Sequence, residues 1–313
     1  MQAVLIFPSA MHAQRSPKIE NCSFPKGRLA SSHLNLSDMQ TSLLKSVRHF
    51  SCSLLLLVLV LPSFGAEVKP LRVLLICGGC CHDYAKQKDI LKQGIDSRVN
   101  ATVDIIYTAD GSTHPDLPIY GHPDYAKGYD VVIHDECAAD VNDQAVVEGV
   151  LAPHRDGVPG VNLHCGMHCY RIGNPSDPAT PGTPHALWFD YLGIQSSGHG
   201  AQLPIEISFV DKASPITKGF ADWTTIKEEL YNNVKVFDGA HALARGKQGK
   251  SDFVVAWTNL YRGKTRVFST TIGHNNETVE DPRYLDLVTH GLLWACDKLG
   301  ADGMPAAGYA KAH

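Results

Sequence analysis

The sequence predicts an α/β protein built on a mostly parallel, doubly wound sheet with helices on both faces and an antiparallel strand extension. Three observations carry that expectation. Short, nearly continuous apolar runs at 71–77, 129–134 and 158–163 have the length and composition of strands buried on both faces. Helical patterns at 84–99 and 142–151 separate them, so the strands need crossover connections. Further on, the strand-like segments 253–260 and 266–271 flank Tyr261-Arg262-Gly263-Lys264, a turn composition that joins antiparallel neighbours.

In chain order, the first strand stops at Gly78-Gly79 and a helix follows from Tyr84. The run 102–107 is the second strand. The Pro-, Gly-, Asp- and His-rich stretch 108–128 is a long surface loop of the kind that covers a site. After the strand 129–134, a helix over 142–151 and the strand 158–163, residues 171–184 form another irregular insertion. A short helix over 186–192 and strands at 203–210 and 230–237 come next. Pro282 opens a final helix to Leu299, with Leu285, Val288, Leu292 and Ala295 on one face. No linker divides residues 67–300, which read as one domain followed by a flexible tail over 301–313.

The chain of 313 residues is 44% hydrophobic and 19% charged, enough for a large core. A net charge of -4 gives no electrostatic reason to expect nucleic acid as a partner. Residues 39–66 read as a secretory signal peptide: a basic lead, the apolar run Leu54–Leu61, then small residues. That run is too short for a comfortable membrane span. Cleavage near Gly65 or Ala66 leaves an exported protein, periplasmic or extracellular, with no stable membrane insertion. Residues 1–38 precede this leader and carry no defensible period, so we read Met39 as the start of translation.

Nine cysteines are present, and seven lie beyond the leader: Cys77, Cys80, Cys81, Cys137, Cys165, Cys169 and Cys296. The odd number leaves at least one free or paired elsewhere, and export permits disulfides without requiring them. Oligomeric state is not legible in the sequence.

Polar residues stand at the expected carboxyl ends of the strands: His82 and Asp83, then His134, Asp135 and Glu136, then His164 and Cys165, and last His274. In a doubly wound sheet these ends share one edge, so residues far apart in sequence converge there. Asp83 and Glu136, each after a strand, are positioned to cap the following helix, Asp83 above all.

Several segments also resemble the ThuA-like, trehalose-utilisation family. They are Gly160-Val161-Asn162-Leu163-His164, Ser197-Gly198-His199-Gly200, Ser214–Phe220, Glu228-Glu229-Leu230-Tyr231, Val255-Ala256-Trp257 and Arg266–His274, in that order. Glu280-Asp281-Pro282-Arg283-Tyr284 before the last helix adds to the likeness, which covers about residues 71–299. The resemblance implies a fold similar to class I glutamine amidotransferases, or flavodoxin-like, with His164, His199, Glu229 and His274 in a polar cleft. It also implies a small carbohydrate as substrate, particularly an oxidised keto-sugar. The Cys-rich segments 77–81 and 165–169 depart from the family pattern.

Three readings follow. In the first, His164, His199, Glu229 and His274, with His82, hold a divalent metal, zinc or manganese, that assists acid–base chemistry on the sugar; no nucleotide cofactor is expected. In the second, Cys165 is a nucleophile on a strand-to-helix turn, with His274 as its base and Glu277 orienting the base. The spacing His274-Asn275-Asn276-Glu277 differs from the amidotransferase His-x-Glu. The third is a non-catalytic sugar-binding module that stacks its ligand on Trp188, Tyr231 or Trp257.

Overall fold

The computed structural model describes residues 68–311; the expected leader and the residues before it lie outside them. Alternation along β1 (Leu71–Gly79) sets the layers. Val73, Leu75 and Cys77 enter one core with helices α1 (Tyr84–Asp96), the short α4 (Asn276–Val279) and α5 (Pro282–Ala295), while Leu74 and Ile76 enter a second with α2 (Gln144–Asp156) and α3 (Leu187–Leu192). A strand that feeds two cores is apolar on both faces along most of its length, which is why the central segments lack polar alternation. β3 (Val131–Cys137) and β4 (Gly160–Leu163) are likewise buried throughout.

With β2 (Ala101–Thr108) and β9 (Thr265–Thr270), these strands form a parallel block in the order β2-β1-β3-β4-β9. The order matches the flavodoxin-like doubly wound arrangement, whose switch point lies between β1 and β3. Beyond β9 the sheet continues antiparallel through β8 (Ser251–Tyr261), β7 (Ala240–Gln248), β5 (Ile194–Phe209) and β6 (Trp223–Val236). The fold is thus the expected α/β one, a parallel, doubly wound block with helices on both faces and an antiparallel extension.

Local signals explain the helix ends. The Asp143 carboxylate accepts from the N–H groups of Ala145 and Val146 to start α2, and Gly157 closes it at φ 110. Asp281 accepts from the Arg283 N–H, with Pro282 as the first residue of α5.

Several expectations are corrected. β5 and β6 run well beyond 203–210 and 230–237, and β7 is an additional strand, because their alternation is interrupted by register shifts at His199 and elsewhere. β3 extends to Cys137, so His134, Asp135 and Glu136 lie inside it instead of beyond its end. Glu136 therefore caps nothing; it bonds His134 Nδ1 at 2.8 Å and accepts from Tyr170 Oη at 2.7 Å. Asp83 occupies the N-cap position of α1 without a capping hydrogen bond; its carboxylate instead accepts from Asn276 Nδ2 at 2.9 Å and pairs with Lys86. The last helix ends at Ala295 instead of Leu299. Of the segment 301–313 expected as a flexible tail, the described residues to 311 pack against the domain, with Ala310 bridging to Val99 and the Gly308 carbonyl accepting from Asn100 Nδ2.

Candidate functional site

The carboxyl ends of β1, β4 and β9 bring three histidines together. His82 follows β1, His164 begins a 3-10 turn directly after β4, and His274 lies four residues past β9. The His82 ring lies 4.7 Å, centroid to centroid, from both His164 and His274. One ring nitrogen from each falls within 4.8 Å of the others. His164 has φ 39, a left-handed backbone uncommon outside glycine, so the turn after β4 presents the histidine and not the following cysteine at its tip.

The antiparallel extension supplies the rest. The β5–β6 hairpin folds over these strand ends, and Glu229 of β6 places Oε2 3.4 Å from His164 Nε2 and 3.5 Å from His199 Nε2. Its Oε1 lies 3.3 Å from His274 Nδ1. All five residues expected to hold a metal are therefore neighbours. They are not equivalent: His164 and Glu229 are buried, His82 and His274 half-buried, and His199, 39% exposed, stands at the rim.

Burial raises the Glu229 pKa, but hydrogen bonding to His164 and His274 outweighs it and holds the carboxyl below its ordinary range. His274 shifts upward because of the same carboxylate, against burial. Burial, then the neighbouring His164 and His274, take His82 down to about 2, so its imidazole is neutral. His164 Nδ1 donates to the Thr271 carbonyl at 2.7 Å, which directs Nε2 toward Glu229. Tyr231 Oη approaches that same Nε2 at 3.4 Å.

Two residues that hold this site were not among those singled out from the sequence as site residues. Glu228, with no exposed surface, accepts from the His274 N–H at 3.1 Å and from those of Gly273 and Asn275 at 3.4 Å. From α1, Gln87 Nε2 donates to the His274 carbonyl at 3.0 Å. The backbone of His274 is thus gripped at both ends. A polar residue inside an apolar helix face was the available clue for Gln87, and two successive carboxylates in a strand, one for each face, the clue for Glu228.

Cys165 does not join this group. It is buried, its Sγ lies 2.8 Å from Cys137 Sγ, and contact with Cys137, then burial, raise its pKa well above the ordinary thiol value. A nucleophile toward a substrate in the cleft needs access to it, and the buried Cys165 thiol, turned toward Cys137, lacks that access. Glu277 is exposed, and among the described residues no hydrogen bond links it to His274. The aromatic residues of the binding-module reading are core. Trp188 and Trp257 donate to the Gly166 and Leu192 carbonyls, and buried Tyr231 stacks on His168 at 4.0 Å.

A cleft of about 420 Å³ opens over His82 and His274, walled by Cys81, Asp83 and the 275–277 segment. A larger cavity, about 660 Å³, lies at the opposite edge beside Arg72, Asp130, Arg266 and Asp297. Open α/β sheets take ligands at the carboxyl edge, and the histidine cluster is there, so the smaller cleft is the candidate site.

The family model described as "Trehalose utilisation", ThuA, matches residues 72–295. No curated protein matches the sequence. Among solved structures, a ThuA-like protein from Parabacteroides merdae superposes with a TM-score of 0.55 at 19% identity, covering 78% of this chain and 98% of its own. A ThuA-like protein from Bacteroides uniformis gives 0.51 at 16% identity, covering 75% and 95%. These likenesses establish the fold.

Proposed function

The chain belongs to the ThuA, trehalose-utilisation family, and on that premise we propose that it is an exported protein acting on a carbohydrate, an oxidised keto-sugar or glycoside, by metal-assisted acid–base chemistry in the His/Glu cleft. The observation that carries the reading is the meeting of His82, His164, His274 and Glu229, from four separate segments, at the carboxyl edge of the sheet. Imidazole and carboxylate donors suit zinc or manganese. The donors also fit a cation in a second way: Nδ1 of His82 is buried without a hydrogen-bond partner. A buried polar atom left so is costly unless something else engages it.

A divalent ion in this cleft supplies a Lewis acid for a sugar carbonyl or for water. The residues do the remainder. Neutral His82 offers a lone pair, and the Thr271 carbonyl holds the His164 ring with Nε2 toward Glu229. Ionised Glu229 supplies negative charge and, with His199 on its open side, a route for a proton between cleft and solvent. Glu228 and Gln87 keep the His274 loop in register with them.

Elemental analysis of the untagged protein, alongside a folded His164→Ala/Glu229→Ala double variant, tests the reading. Near-stoichiometric zinc or manganese that disappears in the variant, together with chelator-sensitive turnover of a keto-sugar, is the expected result. Metal-free protein after supplementation, with its fold intact, overturns the metal chemistry.

A further inference from the structure

A second cluster of reactive side chains lies at the β1/β3 switch point, next to the His/Glu cleft but made of sulfur. Cys80 and Cys81 follow β1 and are joined as a disulfide. Gly79, at φ +97, runs so close to β3 that an added Cβ would strike the Cys137 carbonyl. That approach sets Cys80 Sγ 3.3 Å from Cys137 Sγ, and Cys165 Sγ lies 2.8 Å from Cys137 on the other side. Exposure falls along the row: Cys81 is exposed, Cys80 half-buried, Cys137 and Cys165 buried. Four sulfurs thus lead from solvent into the core. Cys77 and Cys169 stay outside the row, with Cys77 facing Asp135 Oδ2 and Cys169 donating to the Glu136 carbonyl.

Thiol–disulfide exchange needs a thiolate next to a disulfide sulfur. Cys137 Sγ lies 3.3 Å from Cys80 Sγ, beside the disulfide, and the hydrogen bond from Cys165 draws its pKa below the ordinary value despite burial, with Arg171 assisting, which favours the thiolate.

We propose that Cys80, Cys81, Cys137 and Cys165 form a thiol–disulfide exchange site in which one disulfide migrates between the surface pair Cys80–Cys81 and the buried pair Cys137–Cys165. In the first step the Cys137 thiolate attacks Cys80 Sγ. The Cys80–Cys137 bond forms, the Cys80–Cys81 bond breaks, and the electron pair leaves on Cys81, which takes a proton from solvent. In the second step Cys165 gives up its proton and attacks Cys137 Sγ. The Cys137–Cys165 bond forms, and Cys80 leaves and takes up the proton that Cys165 released. Neither step changes the number of disulfides, so no outside oxidant is required. Small-molecule thiols meet the row at Cys81. The proposal concerns the thiols alone and holds whether or not the His/Glu cleft binds metal.

The test uses the full folded chain, held under argon without oxidant, quenched with acid, denatured, alkylated and digested with trypsin without reduction. Cys80 and Cys81 fall in the tryptic peptide 73–86, Cys137 in 128–155 and Cys165 in 156–171. In species carrying one disulfide by intact mass, the expected links are 73–86 to 128–155 and 128–155 to 156–171, with fragment ions assigning the first to Cys80 and not Cys77, and the second to Cys165. Both disappear in Cys137→Ser. Cys81→Ser, which has no surface pair, accumulates the Cys80–Cys137 link several-fold under mild oxidation. Three results overturn the proposal: only the Cys80–Cys81 pair with Cys137 and Cys165 fully alkylated, a second link that maps to Cys169, or all four thiols reduced and holding a metal. Circular dichroism of each variant confirms that a missing link does not arise from a lost fold.

Discussion

Replacing Glu228 tests whether the site depends on a carboxylate that never touches the cleft. Its oxygens receive the His274 N–H at 3.1 Å, while the Gly273 and Asn275 bonds, at 3.4 Å, are long. A hydrogen bond to a charged acceptor contributes about 1.5–3 kcal/mol, and bonds as long as 3.4 Å contribute far less. Glu228→Gln keeps one acceptor oxygen but turns an NH2 group toward backbone donors, so a loss of about 2–3 kcal/mol is expected. Glu228→Ala leaves the same donors buried without a partner, at about 1–3 kcal/mol each for those that water cannot reach, and about 3–5 kcal/mol in all. Urea unfolding measures this directly. With a slope of about 1–3 kcal/mol per molar, a 3 kcal/mol loss moves the midpoint down by roughly 1–3 M while the slope holds. The ring NMR signals of His274 supply the site readout: in Glu228→Gln they broaden or move, whereas those of His241, outside the cleft, stay in place. A Glu228→Gln protein within about 0.5 kcal/mol of the parent, with unchanged His274 signals, refutes the anchoring argument and leaves Gln87 as the holder of that loop.

Two further perturbations follow from the same geometry. Because the Glu229 pKa is depressed, its contribution to stability is present above the unfolded value of about 4.3 and is lost as pH falls through the folded one. Raised His274 contributes fully below its unfolded value of about 6.5 and loses its share as pH rises through the folded one. Chelator-treated protein should therefore melt highest between about pH 4.5 and 6.5, and Glu229→Gln should flatten the decline on the alkaline side; an unchanged decline assigns it to other groups. Gly160→Ala sets a methyl group against buried Tyr191 Oη, an overpacking worth about 1–3 kcal/mol, or roughly 2–4 °C of melting temperature for each kcal/mol. Adding Tyr191→Phe should return most of it, and a double variant no more stable than the single one would mean that the strain lies elsewhere.

The parallel half of the fold was legible because its code is local. Residues 71–77, 129–134 and 158–163 are nearly continuous apolar runs, which only strands covered on both faces need. The histidines at their ends followed from topology, since a doubly wound sheet lines up its carboxyl ends whatever their separation in sequence. His82, His164 and His274 were found in this way, while His199 and Glu229 came through family resemblance. Other elements were decided by tertiary contact. β7 and the long reaches of β5 and β6 gain their hydrogen bonds from partners distant in sequence, and the register shifts at His199 break the alternation that would have revealed them. Cys165 stood next to the site residue in sequence, yet the left-handed turn at His164 gives the tip to the histidine and turns the thiol toward Cys137. The roles of Glu228 and Gln87 were hidden for a related reason: each acts on the backbone of His274, and a backbone group has no identity in a sequence. Which strands are buried is a property of each segment's own side chains, but which side chains meet depends on how the β5–β6 hairpin closes over the strand ends, and only packing determines that.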